Sequence, residues 1–201
     1  MLEEVESLAV DYFELNGFLV RRGLGAGTGK PEAIYPSLIV RNLKEEVIED
    51  HLLLSFQWFS SDIIHTRKAV VAIIGEELLT LGNRGIRQDK RMVKVLKKQV
   101  SSKQSLLFPW ELDEAKEDLY AHRRLVLLPL LPSEEPHRTE FCDQLSKKGV
   151  EGVITLRTLL DNMIQQLDNL EESGMTQRLK TLRILKQMEL LKIPQLDLFS
   201  S

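Results

Sequence analysis

The chain begins with the hydrophobic pattern of an α-helix and continues with that of short strands. Two apolar runs, FLVRR from residue 18 and SLIVR from residue 37, are bounded by glycine and proline and predict strands. A glycine-rich loop joins them. Before them, apolar side chains recur at steps of three and four until Asn16-Gly17 ends the helix, at Leu2, Val5, Leu8, Ala9, Tyr12 and Phe13.

Two later runs stay apolar at every position instead of alternating. They are AVVAII at residues 69–74 and LVLL at residues 125–128. Strands that are apolar on both sides are typical of the covered centre of a sheet. We therefore predict that these two strands are neighbours and that they bury six side chains, Val70, Val71, Ile73, Leu125, Val126 and Leu127.

The second half of the chain alternates between strand and helix signals. SEEP at residues 133–136 opens a helix that should end near Lys148, before Gly149, and VEGVITL at residues 150–156 predicts a fifth strand. A strand, helix and strand in this order favour parallel pairing. From Arg157 onward two leucine-rich helices follow, divided at Ser173-Gly174.

Together these elements predict an α/β protein. Its central mixed sheet should have four or five strands with helices on both faces, followed by a C-terminal helical pair. We assign residues 1–156 to the α/β core and residues 157–201 to a C-terminal helical extension. The leucine stripe of that extension has two interpretations: it closes the core, or it docks a protein partner or a second copy of the chain.

Charge, cysteine content and the lengths of the apolar stretches argue against several classes of protein. The 201 residues carry a formal charge of −3, which argues against coating nucleic acid through bulk charge. Cys142 is the single cysteine, so an intrachain disulfide and a thiolate zinc cluster are both excluded. A signal peptide and an apolar stretch of about 20 residues are absent from the sequence. We expect a cytoplasmic protein without membrane contact.

The stretches that resemble known phosphate-binding, zinc-binding or nucleophile motifs lack residues that those motifs require. The loop Gly23–Lys30 resembles a phosphate cradle, yet Leu24 stands where a P-loop needs glycine, and Pro31 stands where it needs Ser or Thr. The four histidines are too widely spaced for a local zinc pair. Nucleophile signatures do not surround Cys142. The sequence therefore predicts no cofactor, no metal site and no catalytic residue.

Basic residues cluster between Arg84 and Lys103. On one helix they would form a positive ridge opposite Val93, Leu96 and Val100, and such a ridge can follow a phosphate backbone. The alternative is an ordinary solvated face. A second basic set, on the last helix, allows the same two interpretations, with a helix-turn-helix reader as the functional one. The residues we predict to bind nucleic acid are Arg87, Lys90, Arg91, Lys94, Lys97 and Lys98.

The order of elements over the first two thirds of the chain is similar to that of the PD-(D/E)XK, or restriction-endonuclease-like, nucleases. The stretch DYFELNGFLVRR matches a helix end followed by the first strand. The resemblance implies that the second strand supplies an aspartate and the third a Glu-x-Lys pair, which bind a divalent metal and activate water. In this chain Ser37 stands at the aspartate position, and Ala72 and Ile74 stand at the Glu and Lys positions.

Alanine and isoleucine cannot coordinate magnesium, so the metal-binding motif is lost from these positions. Three interpretations follow: a catalytically silent nuclease-like domain that binds DNA, RNA or a protein partner, a diverged metal-dependent nuclease, or a structural interaction module. A diverged nuclease would need carboxylates that flank the candidate strands, namely Glu32, Asp62, Glu76 or Glu77. The first interpretation accounts for both the missing acids and the basic ridge.

Overall fold

The fold is known from a computed structural model that describes residues 2–23, 35–44, 55–80, 89–101, 107–108 and 122–191. Within these ranges the strands are β1 (Phe18–Arg22), β2 (Ser37–Asn42), β3 (Lys68–Ile73), β4 (Arg123–Leu128) and β5 (Gly152–Thr155). The helices are α1 (Leu2–Leu15), α2 (Ser60–Ile63), α3 (Glu76–Thr80), α4 (Asp89–Ser101), α5 (Glu135–Lys147), α6 (Leu156–Gln166) and α7 (Gln177–Gln187). Two 3₁₀ turns, Leu167–Asn169 and Glu172–Gly174, link the last two helices.

The strands form one mixed sheet in the order β1-β2-β3-β4-β5. The first two pairings are antiparallel and the last two are parallel. The predicted α/β class, the mixed sheet of four or five strands and the adjacency of the two apolar strands are confirmed, and the sheet has five strands. Parallel pairing follows where a helical stretch returns the chain to the same end of the sheet, before β4 and before β5.

Each side of the sheet is covered by its own helices. We call the two sides the α1 face and the α4 face. On the α1 face, Val71 and Leu125 pack in one core with side chains of α1, α6 and α7. On the α4 face, Val70 and Val126 pack with side chains of α4 and α5. All six residues predicted to be buried are at most 2% exposed, which confirms the predicted central strands.

The C-terminal helical pair is also confirmed, and it packs against the sheet. Leu159, Met163 and Leu179 are buried in the same core as Val71. Thr155 ends β5 and caps α6, since its Oγ1 accepts a hydrogen bond from the Thr158 backbone N–H. Most of the leucine stripe therefore closes the core, while the division of the chain at residue 156 stays a prediction.

Two glycines mark close approaches of the backbone. Gly75, which ends the apolar run of β3, has a φ of 84°, and a methyl group on it would lie 2.9 Å from Pro129 Cδ. A methyl group on Gly152 would lie 2.4 Å from Trp58 Nε1. The indole of Trp58 thus covers β5 directly. Beside it, the Val153 backbone N–H donates to Phe56 O and the Trp58 N–H donates to Val153 O, both at 2.8 Å.

Some sequence predictions concern residues near or beyond the described ranges. We predict that the loop Gly23–Lys30 does not bind a nucleotide phosphate, and its residues 24–30 lie outside the described ranges. Gly23 is described, and its N–H donates to Ser37 O at 2.7 Å. At the start of α2, the Phe59 N–H donates to Asp62 Oδ2 at 2.7 Å, so the Asp62 carboxylate satisfies a backbone donor before the helix. Within the described ranges, no helix has the length and apolar character needed to cross a bilayer.

Candidate nucleic-acid interface

The three positions that the resemblance to nucleases would assign to metal binding are close together in the sheet. Ser37 of β2 lies directly opposite Ala72 of β3, and Ile74 follows on the same side. The three residues are 5%, 0% and 2% exposed, respectively. Ala72 and Ile74 belong to the apolar core with Met92 and Leu96 of α4. A hydrated cation would lose its water there and gain only the Ser37 hydroxyl from these three side chains, which cannot replace a set of carboxylate ligands.

Of the four carboxylates that a diverged nuclease would need, two have described side chains, Asp62 and Glu77. The Asp62 carboxylate accepts a hydrogen bond from the Phe59 N–H at the start of α2. Glu77 is exposed on α3. The pKa of Tyr35 is raised mainly by burial and also by the negative charge of Glu77. Glu32 and the side chain of Glu76 lie outside the described residues. Among the side chains that are described, no group of three or more His, Cys, Asp or Glu could hold a metal ion.

Helix α4 has a sharply divided surface. Its inner side buries Met92, Leu96 and Val100 against the sheet. Arg91, Lys94 and Lys98 are exposed on its outer side, at spacings of three and four residues that align them in a row. Within the residues that the structure places, none of these three cations forms an ion pair. We call this row the α4 ridge.

The other predicted binding residues differ from the α4 ridge. The Lys97 ammonium lies toward α5 and pairs with the Glu140 carboxylate. That hydrogen bond and charge lower the pKa of Glu140. Because its charge is already matched, Lys97 offers less to a phosphate than Lys94 does. Arg87 lies outside the described residues, as does the side chain of Lys90.

Three of the four basic residues of α7 contact other parts of the fold. Arg178 Nε donates to Oδ2 of the buried Asp11 at 2.7 Å, and Arg178 Nη2 donates to Oδ1 at 3.1 Å. This interaction raises the pKa of Arg178. Arg183 donates to the Leu167 and Leu170 carbonyls, and Lys186 donates to Ile164 O at 2.9 Å. These side chains are engaged by the protein, which disfavours the helix-turn-helix interpretation.

A polar groove of about 460 Å³ lies at the carboxyl end of β5, and sequence reasoning missed it. Its wall includes Ser60, whose Oγ accepts a hydrogen bond from the Tyr12 hydroxyl at 3.2 Å, and burial raises the pKa of Tyr12 to about 12. Asn162 also lines it, but its Oδ1 accepts from Gln166 at 2.7 Å. The sequence contains one signal for the position of this groove. It is the stretch Thr-Leu-Arg-Thr at residues 155–158, in which Thr155 caps α6 at the end of β5.

A second groove, of about 390 Å³, is lined mainly by apolar side chains of α3, α6 and the segments that follow β4 and α7. Leu78, Leu160 and Leu191 are examples. Neither groove contains any of the six residues predicted to bind nucleic acid. The α4 ridge is therefore a separate surface.

Comparisons of the chain with known protein families, with curated proteins and with solved structures find no match. The fold places the chain in the α/β class, with a mixed five-stranded sheet and a helical C-terminus. The resemblance to PD-(D/E)XK nucleases stays a hypothesis that rests on the order of its elements.

Proposed function

We propose that this chain is a catalytically silent, nuclease-like domain that binds nucleic acid through the α4 ridge. One observation carries the proposal: a single helix both covers the positions that correspond to the nuclease motif and presents cations that form no ion pair with another described residue. Its inner side chains Met92 and Leu96 share a core with Ala72, and its outer side chains belong to Arg91, Lys94 and Lys98.

The charges of the α4 ridge favour a polyanion. The chain as a whole has an excess of acidic residues, yet the exposed outer side of α4 presents three cations in a row. Lysine and arginine that contact successive phosphates release condensed counterions, which gives an affinity that depends strongly on salt. Such contacts position a nucleic acid without reading its sequence.

The order of helix, three strands, helix and strand supports the nuclease-like part of the proposal. This order occurs in the structure, with β1 to β3 antiparallel and β4 parallel to β3. The buried Ser37, Ala72 and Ile74 support the loss of catalysis. An interaction module remains the alternative, and it is supported by two exposed apolar side chains: Ile184 on α7 is 55% exposed, and Met188, directly after α7, is 62% exposed.

The test is fluorescence anisotropy with labelled DNA and RNA across a salt series, together with a cleavage assay in magnesium and in manganese. We expect binding that weakens linearly in log affinity against log salt, and no cleavage. The triple variant Arg91→Gln, Lys94→Gln, Lys98→Gln should lose most of the affinity.

A matched control is provided by Arg22→Gln, Arg157→Gln, Lys180→Gln, which removes the same charge from the α1 side of the molecule. It should bind nearly as tightly as the parent. Equal losses in both variants would show that only bulk charge matters and would contradict the α4 ridge. Metal-dependent cleavage would favour the diverged nuclease, and absence of binding even at low salt would favour the interaction module.

A further inference from the structure

The α4 face of the sheet has an exposed part at β1 and β2. Side chains alternate along a strand, so Leu19, Arg21, Ile39 and Arg41 point to this face, opposite to Phe18 and Val40 in the α1-face core. Leu19 is 58% exposed, Arg21 and Arg41 are exposed, and Ile39 is half-buried. We call these four residues the β1–β2 platform.

The register gives the β1–β2 platform a checkerboard pattern. Leu19 lies directly opposite Arg41, and Arg21 lies directly opposite Ile39, so each arginine has an aliphatic neighbour across the strands. The two arginines are diagonal neighbours, which in an antiparallel pair corresponds to about 7–8 Å. Neither arginine has an ion-pair partner among the described residues.

Charge on this part of the sheet is of one sign. The side chains of β1, β2 and β3 that point to the α4 face include arginine and lysine but no carboxylate, as the strand sequences and their register require. The α4 ridge projects from the helix that covers the neighbouring strands on this same side. The β1–β2 platform and the α4 ridge are thus two basic surfaces on one side of the molecule.

We infer that the β1–β2 platform binds single-stranded nucleic acid as a continuation of the α4 ridge, an inference that rests on the proposed function. A duplex presents only phosphates and sugars to a flat surface, which would leave Leu19 and Ile39 against charged groups. A single strand offers phosphates to the arginines and base faces to the aliphatic side chains. Bases also stack on guanidinium planes.

Residues on the two sides of β1 provide a matched test. The variant Arg21→Gln, Arg41→Gln is compared with Arg22→Gln, Arg157→Gln, which removes the same charge from the other side. Arg22 is next to Arg21 in the chain but points to the α1 side, where its Nε lies 2.9 Å from Glu6 Oε1. Thermal unfolding should give nearly the same midpoint for both variants and the parent, since all four arginines are exposed and surface ion pairs contribute little to stability.

The probes are oligo(dT), oligo(U) and the duplex of oligo(dT) with oligo(dA), each measured by anisotropy across a salt series. We expect the parent to prefer the single strands. The platform variant should lose on the order of tenfold in affinity for them, and its salt slope should fall by about 0.7 for each phosphate contact removed. The control should match the parent. Leu19→Ser should weaken single-strand binding without changing the slope.

The two proposals fail in different ways. If the platform variant binds as tightly as the parent while the Arg91, Lys94, Lys98 triple variant loses binding, the platform inference is overturned and the α4 ridge stands. A parent that prefers the duplex also overturns the inference. If the parent binds none of the probes at low salt, both proposals are overturned.

Discussion

Helices α4 and α7 carry similar sets of lysine and arginine at similar spacings, but the protein uses them differently. On α7, Arg178 binds the buried Asp11, and Arg183 donates to backbone carbonyls after α6. On α4, Arg91 and Lys94 face solvent. The pattern of charge along a helix is therefore insufficient to distinguish a structural cation from one available to a ligand, because the partners come from distant parts of the chain.

The comparison of α4 with α7 also explains why α7 needs its basic side chains for stability. Asp11 sits beneath α7 and is 3% exposed, and a buried carboxylate requires a counter-charge and hydrogen bonds. Below α4 the side chains in the core are apolar, for example Val70 and Ala72, and no carboxylate of the described strands points to this face. The described part of the sheet therefore gives the cations of α4 no buried acidic partner, and Arg91, Lys94 and Lys98 lie on the outer side.

The largest expected effect comes from placing charge under α4. Ala72→Glu would put an unpaired carboxylate at a position that is fully buried, and we expect a loss of several kcal/mol in the free energy of unfolding, or no folded protein. Urea denaturation measures it. Leu19→Glu, on the exposed part of the same sheet face, is the control and should change stability by about 0.5 kcal/mol at most. If Ala72→Glu leaves the stability unchanged, α4 must be able to move away from the sheet and let solvent reach residue 72.

Removing one cation from each helix tests the comparison directly. Arg178→Gln leaves Asp11 buried without its charge partner, and we expect a loss of about 3 kcal/mol. Arg91→Gln should stay within about 0.5 kcal/mol, because the Arg91 side chain is exposed and has no ion pair among the described residues. Both are measured by urea denaturation at neutral pH. Equal stability of the two variants would contradict the assigned structural role of α7.

A binding difference is expected within α4 itself. Lys94→Glu should weaken nucleic-acid binding by roughly tenfold, and it should do so for all sequences alike, because phosphate contacts are lost. Lys97→Glu should weaken it less, since Lys97 is already matched by Glu140. Anisotropy at one fixed salt concentration compares them. A larger loss for Lys97→Glu would place the binding surface between α4 and α5.

The smallest effect concerns pH. Lys97 lowers the pKa of Glu140, so the pair contributes stability above the unfolded pKa of that carboxyl and loses it as the pH falls through the lower folded pKa. The parent should therefore unfold at a slightly higher temperature than Lys97→Gln at neutral pH. The two midpoints should converge in acid, and also in high salt, because the pair is at the surface. A difference that persists below the folded pKa would assign the effect to packing.

Much of the sheet could be predicted from the sequence, because its central strands bury side chains on both sides. The runs AVVAII and LVLL have no polar position, which fixes their place in the centre. The inner and outer sides of α4 could also be predicted, from the spacing of Val93, Leu96 and Val100 relative to the cations, and all three are buried. Helical period alone separates those two sides.

The long-range contacts could not be predicted. Asp11 and Arg178 are separated by 167 positions in the chain. For Trp58 and Gly152, no local sequence pattern indicates that the two residues are in contact. The β1–β2 platform was also missed, because the strand register decides which side Arg21 and Arg41 face. Pairing partners of a side chain depend on topology, whereas periodicity reports only local structure.

The two edges of the sheet differ in their capacity to add another strand. The backbone of Phe56 and Trp58 occupies the outer edge of β5, so a strand from a second molecule cannot pair there. At the opposite edge, β1 presents its outer side without a neighbouring strand in the described part of the chain. Arg21 and Arg22 stand side by side on that strand, and charged residues at an edge oppose edge-to-edge association. Arg21, which we propose to bind nucleic acid, therefore also places a positive charge on the open edge of the sheet, where it opposes pairing of β1 with a second molecule.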